Sequence, residues 1–127
     1  MPNKTLDQVR GRTALQTKKK VDSGDLDVSG AQGGLILKDI SHRLINHGLL
    51  ATAADAFGNA GRRNIFDEIA IHLADPEIAL LPQSAADLNG LVQHYTADAD
   101  SSKLRRATAE TMAWLDYARR FIPAGKN

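Results

Sequence analysis

The feature that most constrains the fold is an apolar stripe carried by residues 104–121. Its members recur at three- and four-residue intervals over about five turns: Leu104, Ala107, Thr108, Thr111, Trp114, Leu115, Ala118 and Phe121. This spacing predicts an amphipathic α-helix that is capped by Ser101 or Ser102 and ends at Pro123. We expect Trp114, the only tryptophan, to anchor the core, and the arginines off the stripe to be exposed.

The rest of the chain also follows a helical period. A capping box, Thr5 to Gln8, predicts a helix over about 5–21 whose apolar stripe is thin: Leu6, Val9, Ala14, Leu15 and Val21. Further stripes predict a helix from about 35 to Gly48, a short one over 49–57 with Phe57 inward, one through 65–73, and one capped by Ser84.

No segment alternates with period two over a useful length, so no strand is expected. The sequence therefore predicts an all-α fold, a single compact bundle of about five or six helices. We expect one helical domain over residues 1–127, with a flexible Gly/Ser/Asp loop at 22–34.

Charge is unevenly distributed along a chain whose net charge is only +1. Residues 1–20 have a balance of +5, residues 21–100 of −8 and residues 101–127 of +4. One interpretation is solvated helix faces, with the triple lysine near the end of the first helix interacting with the helix dipole. The other is a basic surface for an anionic partner. Its candidate contacts are Lys18, Lys19, Lys20, Arg62, Arg63, Arg105, Arg106, Arg119 and Arg120.

The residues give no indication of catalysis, of a metal or of a cofactor. There is no cysteine, and His42 and His47 are five apart, which is the wrong spacing for a zinc pair on one helix face. His72 and His94 stand alone, and we expect all four histidines to lie at the surface or its boundary. The sequence has no secretory signal and no apolar run of membrane-spanning length, so we expect a protein of the cytoplasm. Because no catalytic pattern is found, we expect it to be non-catalytic.

Three segments resemble a known family. They are "DQVRGRTALQ" near the start, "ISHRLINHGLLATAADAFG" as a helix pair joined at Gly-Leu, and "LRRATAETMAWLDYARRFIPA" at the end. In the last segment the family carries an Ala-Thr-x-Glu helix with an aromatic-rich ending that closes on Lys/Arg-Phe. The chain is similar in these features to the small subunit of the type III-B (Cmr) CRISPR effector complex.

This resemblance implies a small, all-helical, non-catalytic protein whose copies stack head to tail along an RNA-guided complex. Its partners would be crRNA and target RNA, the repeated backbone subunits, the large polymerase-like subunit and further copies of itself. It would help to hold the guide–target duplex, whose A-form grooves present phosphates and 2′-hydroxyls more readily than base edges.

Two alternatives keep the helical fold. The chain could be a protein–protein adaptor or phage structural subunit, with its basic ends docked on the acidic middle of the next copy. A DNA-binding regulator is the other, but the helix after Gly48, "LLATAADAF", has no basic or amide side chain with which to read bases.

Overall fold

The computed structural model describes residues 5–26, 33–97 and 100–122 and consists of helices and turns. Its five α-helices are α1 (Leu6–Ser23), α2 (Gly33–Ala56), α3 (Ala60–Leu73), α4 (Leu88–Ala97) and α5 (Ser101–Phe121), with a short 3-10 turn at Gln83–Ala85. No strand occurs within the described ranges. The predicted all-α bundle of about five or six helices is confirmed.

Helix α1 begins at the predicted capping box. The backbone N–H of Gln8 donates to Thr5 Oγ1 at 3.2 Å, and the backbone N–H of Thr5 donates to Gln8 Oε1 at 2.9 Å. The helix ends at Gly24, whose φ of 83° lies in the left-handed region that glycine adopts without steric penalty. Of the predicted loop at 22–34, residues 27–32 lie outside the described residues.

Gly48 divides helix α2 into two halves. Its φ of 84° and ψ of 173° are not helical, so the predicted stop at this glycine is confirmed, although the second half follows without a loop. The carbonyl of Gly48 accepts a hydrogen bond from Thr52 Oγ1 at 2.7 Å. The hydroxyl therefore satisfies a carbonyl at the break.

Helix α3 lies at the centre of the bundle, and eight of its fourteen residues are buried. The core joins all five helices, with the side chains of Ala14, Leu37, Ile40, Phe66, Ile69, Leu91 and Trp114 among its members. Trp114 is fully buried, so its predicted role as a core anchor is confirmed. Burial of large apolar side chains on α2 to α5 is the main stabilising contribution to this fold.

Four large apolar residues whose spacing predicts an inward position are instead exposed, among them Ile45 in the first half of α2, which is 70% exposed. Leu6 is 50% and Leu15 38% exposed, because α1 contacts the bundle through Val9, Thr13, Ala14 and Thr17. Phe57 is 40% exposed, since it follows the last turn of α2.

Residues 74–87, which we call the connector, link α3 to α4. The backbone N–H groups of Leu80 and Leu81 both donate to the carbonyl of Leu73, at 2.9 and 3.1 Å, and the Tyr95 hydroxyl donates to the carbonyl of Leu80. Ala79 has a φ of 53°, a left-handed conformation that is unusual for alanine. These bonds fix the connector against the ends of α3 and α4.

Two helix starts differ from the sequence prediction. Asp87, not Ser84, caps α4 by accepting a hydrogen bond from the backbone N–H of Gly90 at 2.6 Å, because Ser84 belongs to the 3-10 turn. Asp100 caps α5 by accepting from the backbone N–H of Ser102 at 2.9 Å. Carboxylates and hydroxyls are comparable caps, so the residue types alone did not show whether a serine or an aspartate would cap each helix.

Candidate nucleic-acid interface

Most basic residues of α1 are paired within the chain. Arg10 donates from Nε and Nη2 to the two carboxylate oxygens of Glu110, each at 2.7 Å. Arg12 Nη2 lies 3.1 Å from carboxylate oxygens of both Asp75 and Glu77. The cations near the start of the chain therefore pair partly with carboxylates from its acidic middle. These ion pairs neutralise much of the charge that is unevenly distributed along the sequence.

The triple lysine predicted as an RNA contact is divided among three environments. Lys20 Nζ lies 2.9 Å from a carboxylate oxygen of Glu68, which is only 6% exposed, and Lys18 pairs with Asp22 one turn along α1. Lys19 is exposed and makes no ion pair with a described residue. Only Lys19 of the three thus keeps an uncompensated charge within the described part of the chain.

The predicted pair on α3 is also engaged. Arg62 Nη2 lies 2.9 Å from Asp39 Oδ2, an atom that Arg43 shares at 3.0 Å. Arg63 donates to the carbonyl of Phe57 at 2.9 Å, and its guanidinium lies 5.8 Å from the centre of that residue's ring. Arg62 therefore joins α2 to α3, and Arg63 packs on the turn between them while its side chain remains exposed.

Helix α5 carries the remaining candidates, which we call the α5 arginine face: Arg105, Arg106, Arg119 and Arg120. All four are exposed, as predicted, and none makes an ion pair with a described residue. At 3.6 residues per turn they fall within an arc of about 140°, and the two pairs are about 21 Å apart along the axis. The exposed Asp116 lies within the same arc.

Neighbouring arginines of this face line different surface depressions. Arg105 lines an apolar groove of about 480 Å³ between the Gly48 break of α2 and the first half of α5, together with Leu50 and Leu104. Arg106 lines a cleft of about 520 Å³ against the connector, together with His94 and Lys103. The start of α5 thus presents its cations on two sides.

A largely buried group of polar side chains, which the sequence analysis missed, joins α1, α3 and α5. We call it the polar network: Arg10, Thr13, His72 and Glu110. His72 is 1% exposed; its Nδ1 lies 2.7 Å from Thr13 Oγ1 and its Nε2 lies 2.9 Å from Glu110 Oε2. The prediction of a surface or boundary position for His72 is wrong.

The charge state of Glu110 follows from its hydrogen bonds. Burial by itself would raise the pKa of this carboxyl, but hydrogen bonds from Arg10 and His72 outweigh burial and lower the pKa to about 2. An ionised carboxylate can only accept hydrogen bonds, so the Nε2–H of His72 donates to Glu110. The same contact raises the pKa of Arg10, which stays charged.

The order of hydroxyl, imidazole and carboxylate in this network is also that of a hydrolase triad. Here, however, the three side chains are buried: Thr13 is 5%, His72 1% and Glu110 7% exposed. A nucleophile must reach its substrate, and the carboxylate is already held by Arg10. The contacts therefore fit a structural network that attaches α1 to the bundle.

One signal in the sequence could have revealed the network. His72 follows Ile69 by three positions, and Glu110 precedes Trp114 by four, so both polar residues lie on the apolar stripes of their helices. A polar residue on a buried stripe needs a partner. The partners came from α1, whose register against α3 and α5 the sequence did not reveal.

Comparison with known proteins adds no relatives: no protein-family model matches the chain, and neither a curated protein nor a solved structure is significantly similar to it. Among the described residues, no group of three or more acidic or histidine side chains is placed to hold a metal ion. None of the described helices has the length and apolar character needed to cross a bilayer.

Proposed function

We propose that this protein is a non-catalytic small subunit of a type III-B CRISPR effector complex, and that its α5 arginine face contacts the guide–target RNA. The observation that carries the proposal is the contrast in pairing between the candidate cations. Lys18, Lys20 and Arg62 are neutralised by carboxylates of the same chain, whereas the four arginines of α5 have no such partner among the described residues. The sequence resemblance supplies the kind of complex.

The chemistry of the face suits a phosphate backbone. Guanidinium groups bind phosphate oxygens in a bidentate manner and keep their charge at all physiological pH values. The face carries no exposed aromatic ring of its own beyond Tyr117, which is partly buried and lies 5.8 Å from the Arg120 guanidinium. Contacts of this type hold a duplex without reading its sequence, and specificity then comes from guide pairing.

Copies stacked along a guide would multiply weak contacts. Two to four phosphate contacts per copy give only modest affinity, but neighbouring copies held on one complex bind at a high effective concentration. The assembled complex, rather than the isolated chain, is therefore the proper object for measurement.

The test compares two double variants that each remove two positive charges. Arg105→Gln/Arg106→Gln changes the α5 arginine face, and Lys18→Gln/Lys20→Gln changes paired lysines of α1. In complexes reconstituted with each variant, target RNA affinity is measured against salt concentration. Each lost phosphate contact should flatten the log–log slope by about 0.7–0.9, so the α5 variant should lose about one to two units of slope and the α1 variant none.

Three outcomes would contradict the proposal. An unchanged slope for the α5 variant would show that its arginines are a solvated helix face. A loss of slope in the α1 variant alone would place RNA on α1. An α5 variant that leaves the complex with or without RNA would favour the adaptor function, in which these arginines bind protein.

A further inference from the structure

The cleft between the connector and α5 combines an apolar floor with a cationic rim. Its floor is formed by residues of the connector, including Pro76, Leu80 and Pro82, and its rim by His94, Lys103 and Arg106. At about 520 Å³ it falls within the usual range of small-molecule sites, which are mostly apolar with a few converging polar groups.

Three acidic side chains on the connector and α5 are engaged away from the cleft. Asp75 and Glu77, on the connector, both pair with Arg12 of α1. Glu110, one turn beyond Arg106, is buried against Arg10 and His72. None of the described residues that line the cleft is a carboxylate; Lys103 interacts electrostatically with Asp100, so Arg106 supplies the positive charge of the rim.

The walls of the cleft are fixed before any ligand arrives. Leu81 is only 4% exposed, the N–H groups of Leu80 and Leu81 bond to Leu73, and the Tyr95 hydroxyl bonds to Leu80. His94 packs edge-on against the Tyr95 ring, with centroids 4.8 Å apart. A preformed site loses less conformational entropy on binding than a mobile one.

We infer that this cleft binds a small ligand with an oxyanion head group on an aliphatic body, with Arg106 contacting the head and the connector contacting the body. An aliphatic body is favoured over a nucleobase because prolines and aliphatic side chains line the cleft. No phenylalanine, tyrosine or tryptophan among the described residues lines it as a stacking platform. This inference does not rest on the proposed RNA contact, since it concerns the isolated chain and a different class of ligand.

The test titrates the purified full chain with octanoate, octyl phosphate, octanol and acetate by calorimetry. Octanoate or octyl phosphate should bind once per chain, and comparison of the two identifies the preferred head group. Octanol should bind at least about tenfold more weakly because it lacks the charge and so loses the charge-assisted hydrogen bond. Acetate should also bind at least about tenfold more weakly, because it lacks the body and buries no apolar chain.

The adjacent arginines provide a matched pair of variants. Arg106→Gln should weaken binding of the preferred probe about tenfold or more, whereas Arg105→Gln, which lines the groove on the other side of α5, should leave it unchanged. Both side chains are exposed, so folding is preserved in either variant. Absence of saturable binding, equal binding of octanol and octanoate, or equal losses in the two variants would each overturn the inference.

Discussion

Helices α1 and α5 are both basic in sequence, but the structure uses their charges in opposite ways. Three of the five cations of α1, Arg10, Arg12 and Lys20, pair across to carboxylates of α5, the connector and α3. The arginines of α5 point outward and find no carboxylate among the described residues. The same residue types thus attach one helix to the protein and leave the other free to bind a partner.

The apolar stripes explain this difference. The buried residues of α1 are Val9, Thr13, Ala14 and Thr17, which contribute little apolar surface, so ion pairs and hydrogen bonds supply much of its attachment. Helix α5 buries Trp114 and Leu115 completely and needs no such help from its arginines. The width of the apolar stripe, more than the number of charges, therefore indicates which basic helix is available to a partner.

The largest expected effect tests whether α5 is attached through its apolar face. Trp114→Ala should lower the free energy of unfolding by about 3–5 kcal/mol, because it empties a large buried site. Urea denaturation followed by circular dichroism measures the change. Arg119→Ala, on the exposed face, is the control and should leave the midpoint unchanged. A loss below about 1 kcal/mol for the tryptophan variant would show that this face does not hold α5.

The second effect tests the polar attachment of α1. Glu110 has a pKa of about 2 in the fold against an ordinary value of 4.5, so its contribution to stability is complete above pH 4.5 and is lost as pH falls through about 2. The difference corresponds to about 3 kcal/mol at most. Glu110→Gln should therefore lower stability by about 2–3 kcal/mol at pH 7 and flatten the stability profile between pH 5 and 2.

Asp116→Asn is the matched control for this pH experiment, since Asp116 lies on α5 but is exposed. Its profile should follow that of the wild-type chain. If Glu110→Gln shows the same slope below pH 5 as the wild type, the polar network contributes nothing through this carboxylate, and the contrast between α1 and α5 loses its main support.

A smaller effect separates two adjacent lysines of α1. Lys20→Met removes the ion-pair partner of the buried Glu68 and leaves it, among the described residues, only the hydrogen bond from Thr17, so the loss of the charged partner should cost about 1–2 kcal/mol. Lys19→Met changes an exposed side chain and should leave the urea midpoint unchanged. Equal midpoints for the two variants would mean that the Lys20–Glu68 pair does not help to hold α1.

The smallest effect is expected on the α5 arginine face. Arg119→Gln/Arg120→Gln should change the free energy of unfolding by less than about 0.5 kcal/mol, as is usual for exposed positions without partners. The measurement is thermal denaturation at low and at high salt. Added salt should change the melting temperature of the variant by as much as it changes that of the wild type. A loss above about 1 kcal/mol would reveal a structural role for these arginines.

Helical periodicity predicted the fold well, because five helices with apolar stripes leave few alternatives. The capping box at Thr5, the break at Gly48 and the buried Trp114 all depend on local spacing, which sequence reveals. Ion pairs depend on register between helices that are distant in sequence: Arg10 and Glu110 are 100 residues apart. For this reason Lys20 and Arg62 were predicted to face RNA although they face carboxylates.

Trp114 stacks on His72, and its fluorescence can therefore report on the structure of the unmodified protein. The indole is fully buried, its ring centroid lies 5.9 Å from that of the imidazole, and its N–H has no hydrogen-bond partner among the described residues. Emission should therefore be blue-shifted, because the indole ring is shielded from water. Because the chain has a single tryptophan, one spectrum follows the junction of α1, α3 and α5, and detachment of α1 can be seen in the intact protein without any added label.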